Sequence, residues 1–414
     1  MRPAPADTLA GMLQRGRGRG AMLATTDPTS ADLVHDCVVH DYRWDWQVDD
    51  RAVYLARLVR DLALPLHPIT ALLRDTGDDQ TALTLASLLV ALGTAGSREA
   101  VTAVRDHVRA GPHWIDVLET AAAEWPRAWW DDLAGTARRR LTPDDRRGLL
   151  WRSDPWLTWA RQHAWATRPA TDRAPGRPGP HRDRPTGELL ALLRDRDVPR
   201  AAKTRALFEI ARRGPEPALL DLAEHLVLDT PVRRPVPGLG RALQPLGPRA
   251  ADHARRWSAD PDHPLRRIAT RVLAAHGDHR DVELMLSTLE RPPGEDWCGY
   301  DVAATGLARL SRLSGSTADH HAAAHRAVPV LRRLWSDTPH SYERAAYLDA
   351  LVALSPVSSD HLLVEGLWDC EEQVRAFAAA RAPLTRETRA RLRDLADDPI
   401  DTTPVRTAAA ARLA

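Results

Sequence analysis

Two pairs of residues set an indole beside a carboxylate. Trp46-x-x-x-Asp50, inside HDYRWDWQVDD at 40–50, and Trp297-x-x-x-Asp301 each separate the two groups by one helical turn. An aromatic face and a negative charge held together could stabilise a cationic centre. A second constellation lies in HHAAAHRAV, where His321 and His325 at i and i+4 share a helix face at a spacing compatible with zinc. The glutamate of the H-E-x-x-H pattern is missing, since Ala322 and Ala323 stand there, and no third ligand is evident. No metal and no cofactor is expected. GRGRG at 16–20 follows no strand and opens no phosphate-binding helix, and no Ser-His-Asp, Cys-His or P-loop context occurs, so catalytic residues are not assigned.

The densest chemical feature is tryptophan. Eight of the fourteen lie within 114–165: Trp114, Trp125, Trp129, Trp130, Trp151, Trp156, Trp159 and Trp165. Arginines interleave, among them Arg138, Arg147, Arg152 and Arg161. Arg and Trp together can stack bases or grip a peptide. Trp129, Trp130, Arg138, Trp156, Trp159 and Arg161 are therefore the candidate ligand-binding residues. The competing role is packing. Trp114, Leu118, Ala121 and Trp125 fall at i, i+4, i+7 and i+11, a core stripe, and Asp131, Asp132, Asp144, Asp145 and Asp154 offset much of the arginine charge.

These groups need elements to hold them, and the elements read as helices. Apolar residues recur at helical spacing, as in Val48, Ala52, Leu55, Val59 and Leu62. Two phenylalanines, five tyrosines and no alternating β-branched runs leave little strand signal. Residues 1–30 carry Pro, Gly, Arg, Thr and Ser with little periodicity and are expected to be disordered. Residues 166–187 hold five prolines and three glycines and are expected to be a loop or linker. It would separate a Trp-rich helical block at 31–165 from a second block at 188–414.

The net charge of +1 on 414 residues is evenly spread, 20 basic against 22 acidic side chains in 1–165 and 32 against 32 in 188–414. No global field therefore recruits nucleic acid or an anionic membrane. Lys203 is the only lysine, a codon bias of GC-rich bacterial genomes. Cys37, Cys298 and Cys370 are few and far apart, which fits a reducing cytoplasm. No secretory signal or membrane span is expected, since no apolar run of about 18 residues occurs.

The chain also repeats itself. DHPLRRIATRVLAAHGD from Asp262, DCEEQVRAFAAARA from Asp369 and DTTPVRTAAAARLA from Asp401 share an apolar-Arg pair followed by alanine: Leu265-Arg266-x-x-Ala269, Val374-Arg375-x-x-Ala378 and Val405-Arg406-x-x-Ala409. Weaker copies start at Ala202, Val232 (with Arg233), Tyr300 and Tyr342, and successive anchors lie 30 to 42 residues apart. Val48-Asp49-x-x-Ala52 fits the same frame, with Asp45 as a cap and Trp44 and Trp46 covering the first end of the array. This pattern resembles the HEAT-repeat family in its short bacterial form, related to bilin-lyase repeats, over most of the chain. The resemblance implies an all-α fold, an α-solenoid of about ten helix pairs. Asp262, Asp369 and Thr403 are suited to helix caps, Asp369-x-x-Glu372 to a capping box, and Pro264 and Pro404 to first turns. Stacking would align Arg233, Arg266, Arg375 and Arg406 as a ladder, each pairing with an Asp of the adjacent turn or, alternatively, holding an anionic ligand.

The expected function is a non-catalytic scaffold binding a protein or peptide partner on its concave surface. The alternative is a nucleic-acid binder similar to the alkylpurine DNA glycosylases of HEAT architecture, whose aromatic and acidic groove the two Trp/Asp pairs resemble in kind. Charge balance disfavours it. The di-iron hydroxylases of this architecture use His-Glu pairs, and no His-Glu dipeptide occurs.

Overall fold

The computed structural model describes residues 3–45, 47–49, 51–149, 153–166, 181–228, 233–292, 299–314 and 318–414. The fold is all-α. The β-structure among the described residues is one antiparallel pair, Val227–Leu228 with Arg234–Pro235. No helix among them is long and apolar enough to cross a membrane.

The chain divides into two compact units: Met1–Ala174 with Ser336–Ala345 and Asp360–Ala414, and Pro175–Trp335 with Ala346–Ser359. In the first unit, helices Ala52–Asp61, Asp79–Thr94 and Trp114–Glu124 pack side by side as one row. Ser30–Val39, His67–Asp75 and Arg98–Ala110 pack as a second. Helices of one row thus touch one another, and each row touches its sequence neighbours in the other. Local sequence sets the boundaries. Asp78 accepts the Thr81 N–H and Ser97 the Ala100 N–H, which starts two of these helices, and Thr385 does so for Arg386–Asp397. Asp79–Thr94 lies between neighbours and buries Ala82, Leu85, Leu88, Leu89 and Val90, so its apolar residues run nearly all round. At the chain's other end, Glu372–Arg381, Arg386–Asp397 and Thr403–Leu413 pack by the same rule.

In the second unit, Arg200–Arg213, Leu239–Leu243, Arg266–His276 and Tyr300–Ser314 form one row, with the tight turn Gln244–Ala250 between the second and third. Ala251–Ala259 packs on Arg266–His276, and Val282–Leu289 on Tyr300–Ser314.

Four expectations change. The segment expected to be disordered holds two helices: Leu9–Gln14 and Gly18–Ala24 bury Met12, Leu13, Ala21 and Ala24, and Thr8 caps the first. Second, residues 188–414 are not one block, because the last helices join the N-terminal unit; of the expected linker, 167–180 lies outside the described residues. Third, the acids set aside as caps do other work. Helix Glu372–Arg381 starts from Glu371 and Arg266–His276 from Leu265, both without a side-chain cap, and Thr403 is the first residue of its helix rather than the cap. Finally, Val48 is half exposed in a turn, where Asp45 accepts the Gln47 N–H, and the helix begins only at Ala52. Trp44 is exposed on one side and meets the edge of the His340 ring; Trp46 lies outside the described residues.

Candidate functional site

The tryptophan-rich segment is a packed cluster. Trp156 and Trp159 are 0% exposed and Trp130 is 2% exposed. Their rings meet edge to face, with centres 5.5 Å apart for Trp156–Trp159, 5.9 Å for Trp130–Trp159 and 6.5 Å for Trp114–Trp156. Four of the buried indoles find an acceptor. Trp159 donates to Asp131 at 3.0 Å, Trp125 to the Val90 carbonyl at 3.0 Å, Trp130 to the Trp125 carbonyl at 3.3 Å, and Trp156 to Glu119. Burial raises the Glu119 carboxyl, and the Trp156 N–H opposes the rise. Helix Trp156–Gln162 is two turns long, so Trp156 and Trp159 share its inner face. Trp130, Trp156 and Trp159 are therefore core and are withdrawn as ligand contacts. Trp129 is half-buried against Trp125, and Arg138 and Arg161 are exposed. Among the described residues no hydrogen bond or ring contact joins these three. Trp151 and Arg152 lie outside the described residues, as does the Arg147 side chain.

Buried arginine–carboxylate ties run through the first unit, and of the four arginines expected to form a ladder only Arg375 takes part in one. Arg375 donates to Asp401 at 2.8 Å and to the Cys370 carbonyl at 2.5 Å. Arg57 reaches the same Asp401 at 2.5 Å and Asp398 at 3.0 Å. Arg344 holds Asp369 with two bonds, at 2.8 and 2.9 Å, and both side chains are fully buried. Arg17 grips Glu365. Arg51 donates to Ser341 Oγ at 2.8 Å, and that hydroxyl donates to Asp49 at 2.8 Å. Arg375 is thus saturated and closed to a ligand. Arg266 instead donates to the Ser258 carbonyl and the exposed Arg406 to that of Ala396. Arg233 and Asp262 are exposed, and Val232 lies outside the described residues. The expected tie to the next turn holds for Arg375 and fails for Arg266 and Arg406, whose guanidiniums serve helix ends instead.

GRGRG belongs to this joint. Gly16 has φ +67 and lies against Cys370, where an added Cβ would come within 2.6 Å of the sulfur; at Gly18 it would overlap the Glu365 carbonyl. The glycines let the backbone approach while Arg17 between them reaches Glu365. Sequence spacing carried no signal of these pairs, whose members are up to 348 residues apart.

Burial pushes the Cys37 thiol up to about 12 and Cys370 higher still, and Ser341 is fully buried. Among the described residues no group of three or more His, Cys, Asp or Glu could hold a metal. His321 and His325 are exposed. Trp46, Asp50, Trp297 and Cys298 lie outside the described residues; Asp301 is half-buried in the first turn of Tyr300–Ser314.

The second unit carries an open groove of about 670 Å³. Leu286, Leu307, Leu310 and Leu354 line it, Ala322 and Ala323 close one side, and Leu313 stands 70% exposed at its edge. Arg326 bridges the rim, bonded to both Glu283 and Glu290 at 2.7 Å. Asp278, His279, Arg280, Glu283 and Ser311 line it too, and Arg280 pairs with Asp278 as Arg326 does with its two glutamates, so the groove suits the apolar stripe of an amphipathic element better than an isolated charge. No family model and no curated protein matches this chain, and the functional conclusion rests on this geometry.

Proposed function

We propose that the chain is a non-catalytic interaction scaffold of HEAT-like helix pairs, and that its second unit receives an amphipathic helix of a partner protein. The supporting observation is the leucine-lined groove with Leu313 exposed beside it. An amphipathic helix offers apolar side chains at i, i+3, i+4 and i+7, which match a floor of leucines between helices. The rim contributes register rather than attraction, because Arg326 already has both its carboxylates.

The test is photo-crosslinking of the full chain with a benzophenone amino acid at position 313 in host lysate. The expected result is one protein, crosslinked through a segment with helical apolar periodicity. Leu313→Asp should release that protein without changing the melting temperature, since exposed substitutions lie within about 0.5 kcal/mol of wild type. No crosslinked protein, or equal retention by Leu313→Asp, overturns the proposal.

A further inference from the structure

The even charge of the whole chain conceals a local excess. Residues 200–276 carry 14 basic against 8 acidic side chains. Helix Arg200–Arg213 buries Ala206, Leu207 and Ile210 and turns Arg205 and Phe208 outward, at i and i+3. Phe208 is 45% exposed, an unusual state for a side chain of that size. The next helix of the row places the Arg241 guanidinium over its ring, 5.7 Å from the centre. Helix Arg266–His276 exposes Arg267 and Arg271 at i and i+4, and the Arg271 guanidinium comes within 4.0 Å of where a Cβ on Gly240 would sit. Three neighbouring helices therefore present Arg205, Phe208, Arg241, Arg267 and Arg271 side by side.

These arginines differ from those of the first unit. Among the described residues none of Arg205, Arg241, Arg267 and Arg271 is paired with a carboxylate or hydrogen-bonded through its side chain, whereas nearby Arg212, Arg213 and Arg255 are held by Glu209, Asp278 and Asp281. Four free guanidiniums around an exposed aromatic ring make a surface complementary to a strand of phosphates with stackable bases. An acidic peptide would use the charges but has no use for the ring.

We infer that the row of helices 200–213, 239–243 and 266–276 binds single-stranded nucleic acid, with the arginines on phosphates and Phe208, backed by Arg241, under a base. With helix axes about 8–10 Å apart the strip spans on the order of 20 Å, room for a few nucleotides of a single strand. This surface is separate from the leucine groove, so either can fail without the other.

The full chain is titrated with fluorescein-labelled oligo(dT) of twenty nucleotides, followed by anisotropy from 50 to 300 mM salt. Four neutralised phosphates give a slope of log K against log[salt] near about −3. Arg241→Gln with Arg271→Gln should bring it to about −1.5, and Phe208→Ala should weaken binding about tenfold with the slope unchanged. Melting temperatures should not move, because all three positions are exposed. No binding at 50 mM salt overturns the inference. So does binding indifferent to the arginine pair, or a poly-glutamate of equal charge bound as tightly as oligo(dT). Tighter binding to a duplex of the same length than to the single strand overturns the role given to Phe208.

Discussion

Replacing Arg344 by Met should release the chain's N-terminal helices. Arg344 is fully buried, holds Asp369 through two bonds and also donates to the carbonyls of Arg15 at 3.0 Å and Gly16 at 3.2 Å. Met fills similar volume but leaves a fully buried carboxylate whose remaining bond is to the Glu371 N–H, together with an unanswered Arg15 carbonyl, while that of Gly16 keeps the Cys370 N–H. Breaking one partner of a buried pair costs about 3–5 kcal/mol, a large share of the roughly 5–15 kcal/mol that holds a domain together. Replacing both, Arg344→Met with Asp369→Leu, removes the orphaned charge and should recover about half of that loss. Hydrogen exchange reads the outcome segment by segment. Amides of 9–24 should exchange about a hundredfold faster in Arg344→Met, a loss of about 2.7 kcal/mol of local protection at a factor of ten per 1.4 kcal/mol. Gly18→Ala should loosen the same amides by steric overlap with the Glu365 carbonyl, with the ion pair untouched. The reasoning fails if protection at 9–24 is unchanged in Arg344→Met, or if the double variant is less stable than the single.

Two further outcomes follow from burial and charge. Trp159→Ala should cost about 3–5 kcal/mol, since it empties a fully buried site and orphans the Asp131 bond, while Trp129→Ala, half exposed, should cost clearly less; equal effects in urea unfolding would contradict the cluster described here. Asp398 and Asp401 are buried, which raises a carboxyl, but Arg57 and Arg60 hold the first, and Arg375 and Arg57 the second, below the ordinary aspartate value. Their contribution is complete above the unfolded value of about 3.9 and is lost as pH falls through the depressed folded values. The urea midpoint should therefore drop as pH falls below about 4, and Asp398→Asn with Asp401→Asn should flatten that part of the profile while lowering stability at pH 7.

The helical class was legible because its signals are local. The stripe in 52–62 acts within a few residues, as do the Ser97 and Asp78 caps that the structure shows. The core stripe Trp114, Leu118, Ala121 and Trp125 also appears where its periodicity places it. The failures share one physical cause. Whether Trp156 faces a ligand or Glu119, and whether Arg17 is a mobile cation or half of a buried pair, depends on partners 37 and 348 residues away. GRGRG illustrates the limit: composition argues for disorder, and only the approach of the 365–370 backbone shows why glycine and arginine must alternate. The capping assignments failed for a related reason. Asp369 stands where a cap would stand, yet a fully buried guanidinium competes for its oxygens, and a charge-assisted bidentate pair outweighs one N–H bond.

The distribution of partners, rather than the count of charges, decides what the surface can attract. In the first unit Asp369, Asp398, Asp401 and Glu365 each neutralise an arginine inside the protein, where neither charge reaches solvent. Those carboxylates still enter the net charge of the chain, although a ligand approaching from water does not sense them as it senses an exposed group. Arg205, Arg241, Arg267 and Arg271 face water without such partners, so the local potential there is more positive than +1 on 414 residues suggests. A balanced composition therefore argues against long-range recruitment of nucleic acid and leaves short-range capture open. At physiological salt, fields fade within about 8 Å, and what remains is the set of guanidiniums that no carboxylate already occupies.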